Sequence, residues 1–319
     1  MADVSTALLG LYLAVCAWAK FSGSHIPVER WGQLPYLINS GIRSAAYILW
    51  PHSAYQSEDL RRLRQDAGQL GLGFDTLLLR FGWERGVRPP PAADFIALFK
   101  EKVLYAKSLG YKRLMVLFAN EPNLELDSVM TPAVFLAWYQ DMVQLWRADP
   151  DLSLIPIVSP NLAGYAPNSW AWWDGGLRDC CTLSDYAGLS IYPSNEAELQ
   201  GGWSLPWWQG QVGDKPIVIV EMGARTDTPA ATRAALLPKL YAQAKACPQV
   251  ACALAFVQWT EGAEHAEHWL TAGDYRALID ANLGTVAPPV LPPVIPPTEP
   301  PTIPIGGRAV YRVTVERIE

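Results

Sequence analysis

The feature that most constrains the fold is a repeated alternation of short β-type apolar runs with longer amphipathic segments, which is typical of βα units around a parallel sheet. Eight apolar runs predict strands: Leu9–Val15, Ser44–Trp50, Asp75–Phe81, Arg113–Ala119, Leu154–Ser159, Tyr186–Ile191, Pro216–Val220 and Ala251–Gln258. Between them, apolar residues recur three or four apart. This spacing predicts helices at Glu58–Leu70, Ala93–Leu109, Pro132–Arg147 and Ala230–Ala246.

Eight strands with crossover helices within residues 1–284 predict an α/β fold, a (β/α)8 TIM barrel, whose usual size is about 250 residues. A doubly wound open sheet is the main alternative, but no glycine-rich phosphate loop follows an early strand. The segment Lys20–Asn39 has little periodicity and predicts an irregular loop.

The composition changes after Gly284. Proline pairs recur every four residues, so residues 285–307 predict a proline-rich linker in the polyproline II conformation. Residues 308–319 then alternate apolar and polar side chains, which predicts a C-terminal strand. A single strand is unstable alone. It could begin a further module, fray as a tail, or add to a sheet edge of its own barrel or of a neighbouring molecule, which would make residues 308–319 a self-association segment.

Charge and composition argue against two classes of partner. The chain has 25 Lys+Arg against 31 Asp+Glu and no basic run, so we expect no nucleic acid partner. The apolar stretch Ala7–Ala19 is shorter than the roughly 20 residues that cross a bilayer, and Met1–Thr6 contains no Lys or Arg. We therefore expect no membrane span and no clear signal peptide, while an extracellular or cell-surface location stays open.

The cysteines and tryptophans each allow two interpretations. The five cysteines follow no metal-binding spacing, and Cys247 and Cys252 could bridge a short loop or remain buried thiols. The 14 tryptophans could be large core residues, or they could stack on sugars through their flat indole faces. Core packing alone explains poorly the six that cluster near Gly, Pro and Ser, namely Trp170, Trp172, Trp173, Trp203, Trp207 and Trp208.

Two predicted strands end in a carboxylate. The fourth strand leads into Asn120-Glu121-Pro122, and the seventh leads into Glu221. Active sites of TIM barrels lie at the carboxyl ends of the strands, so both acids are expected to face one cavity. Retaining hydrolysis of a glycosidic bond needs such a pair, one to protonate the leaving oxygen and one to attack the anomeric carbon.

The motif Asn120-Glu121-Pro122 together with Glu221 resembles the paired motifs of clan A glycoside hydrolases, which include cellulases, mannanases, xylanases and β-glucosidases. The resemblance implies that Glu121 is the acid/base, that Glu221 is the nucleophile and that Asn120 binds a sugar hydroxyl. Two further segments resemble the clan, Ser190–Pro193 and Val257–Trp259. They imply that Tyr192 touches the nucleophile and that Trp259 lies beneath the sugar.

The sequence departs from the clan pattern at two positions. Ser190 stands where the clan has a histidine, so the hydrogen bonds around the nucleophile must differ. The clan's arginine near the end of the second strand has its best candidate here in Arg80, on the third strand. An arginine beside Glu221 would keep it ionised, while Glu121 needs a raised pKa to donate a proton.

Several residues complete the predicted site. Arg80, Trp83 and Asn161 are expected to contact substrate, although Trp83 could equally pack beneath the rim loops. The His265 and His268 segment matches no zinc motif, so we expect no metal and no organic cofactor. The predicted function is a retaining glycoside hydrolase acting on a β-linked oligosaccharide or polysaccharide. The alternatives are a catalytically silent carbohydrate-binding barrel and a structural subunit that assembles through residues 308–319.

Overall fold

A computed structural model describes residues 8–13, 43–51, 56–61, 63–64, 74–225, 227–256, 277 and 280–281. In these ranges eight parallel strands form one sheet in the order β5-β4-β3-β2-β1-β8-β7-β6. β1 pairs with both β2 and β8, so the first and last strands are neighbours, as in a TIM barrel. The strands are β1 Leu8–Leu13, β2 Ser44–Leu49, β3 Thr76–Phe81, β4 Arg113–Leu117, β5 Ile157–Val158, β6 Ala187–Ile191, β7 Ile217–Met222 and β8 Val250–Ala255. The predicted α/β fold class is confirmed.

The contact between β5 and β6 is the thinnest in the sheet. One parallel bridge, Val158 to Tyr186, stands in place of a ladder. Beyond it the amide of Gly188 donates to the hydroxyl of Ser159 at 2.9 Å. A Cβ on Gly188 would lie 2.0 Å from the Ser159 carbonyl oxygen, so only glycine allows the two strands to approach this closely.

Helices cover the outside of the sheet. Three long helices agree closely with the predicted segments. The described part of the first predicted helix is shorter than its predicted segment. The helices are α1 Gln56–Arg61, α2 Ala92–Ser108, α3 Pro122–Glu125, α4 Pro132–Ala148, α5 Ser169–Trp172, α6 Arg178–Leu183, α7 Leu205–Val212 and α8 Ala230–Ala246, with a π-helical turn at Trp173–Leu177 and a 3-10 turn at Glu196–Leu199. None of the helices in the described ranges is long and apolar enough to cross a membrane.

Alternation along the strands divides the core into two layers. An inner layer of strand side chains includes Leu78, Leu117 and Val218. The outer layer packs the strands against the helices and includes Phe99 and Trp146. The candidate site lies beyond the inner layer, at the carboxyl ends of the strands.

The structure decides between the two interpretations of Cys247 and Cys252. Cys247 and Cys252 are both buried free thiols, so the bridge between them does not form.

The chain divides into units Met1–Val286 and Ala287–Glu319. The second unit lies outside the described residues, so the linker, the C-terminal strand and self-association stay predictions. The Lys20–Asn39 loop also falls outside them.

Candidate active site

Glu121 lies in a strained turn beyond the end of β4. Its backbone is in the left-handed region, with φ 35° and ψ 56°. Its carbonyl accepts the amides of Leu124 and Glu125 at 2.8 and 2.9 Å, which closes the first turn of α3 behind Pro122. This conformation is costly for a residue with a side chain and is concentrated at functional sites. The turn leaves Glu121 only 8% exposed.

Glu221 is positioned by an irregularity in β7. Strict alternation would put Glu221 on the same outer face as Ile217 and Ile219. The pairing of β7 shifts before Met222 against both neighbouring strands, so Met222 joins the outer layer instead. Bulges of this kind re-aim one side chain. Glu221 is therefore directed to the inner side, opposite Ser190 of β6.

Arg80 connects two carboxylates. It lies on β3, and its guanidinium donates to Glu221 Oε1 at 3.2 Å and to Glu125 Oε1 at 2.6 Å. The Arg80 side chain is 13% exposed and the Glu221 side chain 5%. The third strand thus supplies the positive charge that the clan pattern places on the second strand.

Tyr192 and Ser190 lie beside the two acids. The Tyr192 hydroxyl donates to Glu221 Oε2 at 2.8 Å, so the predicted contact between Tyr192 and this carboxylate is present. Ser190 lies close enough to the Glu121 carboxyl to lower the pKa of that carboxyl. Its hydroxyl accepts from Asn161 Nδ2 at 2.6 Å. Ser190, which stands where the clan pattern has a histidine, is therefore held beside Glu121 by Asn161.

The two acids have different surroundings. Burial, followed by the charges of Glu221 and Glu125, raises the pKa of Glu121 well above its ordinary value. Burial also raises the pKa of Glu221, but Arg80 and the Tyr192 hydrogen bond stabilise its charged form. Since these two partners act most directly on Glu221, its surroundings favour the charged form more than those of Glu121 do.

The other predicted site residues in the described ranges contact neighbouring side chains rather than Glu221. Asn120 is 3% exposed and donates to Glu125 Oε1 at 3.2 Å. Asn161 is fully buried, and its described contact is with Ser190. Trp83 is partly exposed and packs on Phe95 with ring centroids 5.5 Å apart. Their contacts with substrate stay predictions. Trp259 and the His265 and His268 segment lie outside the described residues.

Two residues of the site were missed by sequence reasoning. Glu125 accepts hydrogen bonds from both Arg80 and Asn120. Its spacing of one helical turn after Glu121 is a signal that could have revealed it. Tyr165 is 54% exposed, yet desolvation and then the charges of Glu121 and Glu221 raise its pKa. It lies on the loop after β5, and its sequence context carries no such signal.

Comparisons with known proteins place the fold. No family model matches the sequence, and no curated protein matches it. A glycoside hydrolase family 128 (subgroup I) endo-β-1,3-glucanase from Amycolatopsis mediterranei, solved with laminaritriose, aligns with a TM-score of 0.53 at 16% identity, over 86% of this chain and 99% of that one. An exo-β-1,4-mannosidase from Opitutaceae bacterium strain TAV5 aligns with a TM-score of 0.58 at 15% identity, over 86% of this chain and 59% of that one.

A family 5 (subfamily 18) glycoside hydrolase from Bifidobacterium longum subsp. infantis is also similar, with a TM-score of 0.57 at 14% identity over 87% of this chain and 78% of that one. These neighbours are clan A glycoside hydrolases with TIM-barrel folds. The fold implied by the sequence resemblance is therefore confirmed. At such identities the likeness concerns the fold, and what the site does must be argued from its residues.

Proposed function

We propose that this chain hydrolyses a β-linked glycan with retention of configuration at the anomeric carbon. The observation that carries the proposal is the unequal environment of two buried acids, with Arg80 and Tyr192 on Glu221 and neither in direct hydrogen-bond contact with Glu121. A nucleophile must be ionised and a general acid protonated at the same pH. The contacts around this pair support Glu221 as the nucleophile and Glu121 as the general acid.

In the first step the Glu121 carboxylic acid gives its proton to the glycosidic oxygen, whose bond to the anomeric carbon breaks. The Glu221 carboxylate attacks that carbon from the opposite face and forms a glycosyl ester. In the second step the Glu121 carboxylate takes a proton from water, whose oxygen attacks the anomeric carbon and releases Glu221. The two displacements restore the original configuration, and neither requires a metal or an organic cofactor.

Other contacts support the same steps. Ser190 lowers the pKa of Glu121 and so favours its carboxylate, which is the form needed in the second step. Among the described residues, Asn120 Oδ1 and Glu121 Oε1 are buried acceptors without a hydrogen-bond partner. Buried acceptors of this kind are uncommon in folded proteins. A sugar hydroxyl would donate to Asn120 Oδ1, and Glu121 Oε1, when it carries the proton, would donate that proton to the glycosidic oxygen.

Similar folds suggest which substrates to test first. The Amycolatopsis neighbour is described as an endo-β-1,3-glucanase and the Opitutaceae neighbour as an exo-β-1,4-mannosidase. We propose a β-1,3-glucan or a β-1,4-mannan as the first substrates to test. Both present ring hydroxyls for polar side chains and apolar C–H faces for aromatic side chains.

The test combines stereochemistry with chemical rescue. Proton NMR during hydrolysis should show the β-anomer as the first product, whereas an initial α-anomer would rule out retention. Glu221→Ala and Glu121→Ala should both be inactive on polysaccharide. With an activated aryl β-glycoside, azide should restore turnover in both variants, giving an α-glycosyl azide from Glu221→Ala and a β-glycosyl azide from Glu121→Ala. The opposite pairing would exchange the two roles.

A barrel that binds glycans without cleaving them is the second candidate, and the replacement of the clan histidine by Ser190 favours it. It predicts that the wild-type chain binds an oligosaccharide that stays intact on prolonged incubation. Cleavage that is lost in both Glu121→Gln and Glu221→Gln would exclude it.

A further inference from the structure

The six clustered tryptophans divide into two layers. Core packing accounts for three of them, because Trp172, Trp173 and Trp208 are each 1% exposed. Trp170 is 53% exposed, and Trp203 and Trp207 are only partly buried. The sugar-stacking interpretation therefore fits the second set alone, which we call the tryptophan platform (Trp170, Trp203 and Trp207).

The platform is a cluster of contacting indole rings, tilted by 46° and 59° to one another, on a buried aromatic base. Ring centroids are 4.6 Å apart for Trp170 and Trp203 and 4.5 Å apart for Trp203 and Trp207. Trp208 packs edge-on beneath Trp207 at 4.8 Å and contacts Trp173 at 4.9 Å. Rings that are packed from below lose little conformational freedom when a ligand binds above them.

Trp203 is held in this arrangement by a strained backbone. Its φ is 63°, a value that bulky residues rarely adopt. The indole lies over Gly164, where a Cβ would be 2.6 Å from the ring. Strain of this kind persists at sites of ligand binding more often than elsewhere. A tryptophan placed only for stability would not need it.

The loop that contacts the platform also reaches the candidate active site. Gly164, which contacts Trp203, directly precedes Tyr165, and the Tyr165 ring is 6.4 Å from that of Tyr192. Tyr192 in turn donates to Glu221. The segments that carry the platform follow β5 and β6, so they lie on the side where the strands end in the two acids.

We propose that the tryptophan platform binds sugar units of a glycan chain at a distance from the bond to be cleaved, with Tyr165 between the platform and the acids. An exposed indole face suits the C–H face of a pyranose, and Trp170 is the most exposed ring of the platform. The inference rests on the proposed function in so far as the site binds a glycan, but it does not require that the glycan be cleaved.

The experiment measures binding as a function of chain length. The full chain carrying Glu221→Gln, which should bind without turnover, is titrated by calorimetry with β-1,3-gluco- and β-1,4-manno-oligosaccharides of two to six sugars. Adding Trp170→Ala should weaken binding of the longest bound oligosaccharides by about tenfold and leave the shortest unchanged. Trp170→Phe should restore part of the loss. Leu154→Ala, which truncates a side chain that is 84% exposed ahead of β5, is the matched control and should have no effect.

The outcomes separate this inference from the proposed function. Equal affinities with and without Trp170→Ala at every length would overturn the platform as a sugar site and leave it as a surface for a protein partner. A length-dependent loss in a chain whose wild type cleaves nothing would support the platform while contradicting hydrolysis. Absence of binding by either series would contradict both.

Discussion

Replacing Arg80 with glutamine removes the only cation in direct contact with Glu221 among the described residues, and the consequences can be worked out from the structure. One guanidinium nitrogen lies 3.2 Å from Glu221 and another 2.6 Å from Glu125. The side chains of Arg80 and Glu221 are 13% and 5% exposed, so water screens their interaction poorly. The variant leaves the buried Glu221 carboxyl without this cation and the partly exposed Glu125 carboxyl with Arg85 as its nearby positive charge.

The expected loss of stability is several kcal/mol. At 3.2 Å and an effective dielectric constant of 20, the Coulomb attraction of one pair is roughly 5 kcal/mol. Breaking a buried pair by removing one partner typically costs about 3–5 kcal/mol. At about 2–4 °C per kcal/mol for a large domain, the Tm of Arg80→Gln should fall by about 10 °C near neutral pH.

The loss should also depend on pH. Burial already raises the pKa of Glu221 and of Glu125 above the ordinary 4.5, and Arg80 opposes this. In Arg80→Gln both values rise further, so above about pH 4.5 the folded chain holds protons that the unfolded chain has released. Stability of the variant must then decrease as pH rises through this window. The difference from wild type should be smallest near pH 4 and largest near pH 8.

Thermal unfolding followed by circular dichroism from acidic to mildly alkaline pH provides the assay and needs no substrate. Arg80→Lys keeps a charge but cannot present two parallel donors, so it should fall between wild type and Arg80→Gln. The acid limb of the kcat/KM profile should move to higher pH in Arg80→Gln, because Glu221 must be ionised to attack. A Tm difference that is the same at every pH would refute the electrostatic role and leave Arg80 as a packing residue.

Three further predictions follow from individual contacts. Glu121→Gln should raise Tm by a few degrees near pH 8 and less near pH 5, since a carboxyl with a raised pKa destabilises the fold as pH increases; differential scanning calorimetry tests this. Tyr192→Phe should lower kcat/KM by about ten- to a hundredfold, from the roughly 1.5–3 kcal/mol of a hydrogen bond to a charged group, and steady-state kinetics would detect it. Gly188→Ala should cost about 3 kcal/mol or more in urea unfolding, because its Cβ would meet the Ser159 carbonyl, whereas Gly210→Ala, in open space on a helix, should be neutral or stabilising.

The strand pattern was predictable because each buried strand leaves an apolar run of its own. The weakest prediction was the fifth strand, Leu154–Ser159, of which only Ile157–Val158 forms. Leu154 is 84% exposed, and Ser159 uses its hydroxyl to bond the amide of Gly188. A hydropathy pattern cannot reveal that a side chain has replaced a ladder hydrogen bond.

The acids could be identified from sequence, but the means of aiming them could not. Glu121 and Glu221 were found because each follows an apolar run. A strict period of two would have directed Glu221 outward, and only the shift in β7 pairing reverses this. The left-handed turn at Glu121 and the link from Arg80 to Glu125 depend on contacts distant in sequence. Trp259 lies outside the described residues, so its predicted role stays open.

The cost of this arrangement is itself an argument about its purpose. A barrel needs no left-handed glutamate, no bulge beneath a carboxylate and no carboxyl whose pKa burial raises well above its ordinary value. Each feature lowers stability, and apolar residues in place of the two acids would remove the part of the cost that comes from burying carboxyl groups. They converge on one place, where Arg80 offsets only part of the charge they bring together. An arrangement that loses stability at several positions to hold two acids in unlike surroundings supports the proposed acid/base and nucleophilic roles.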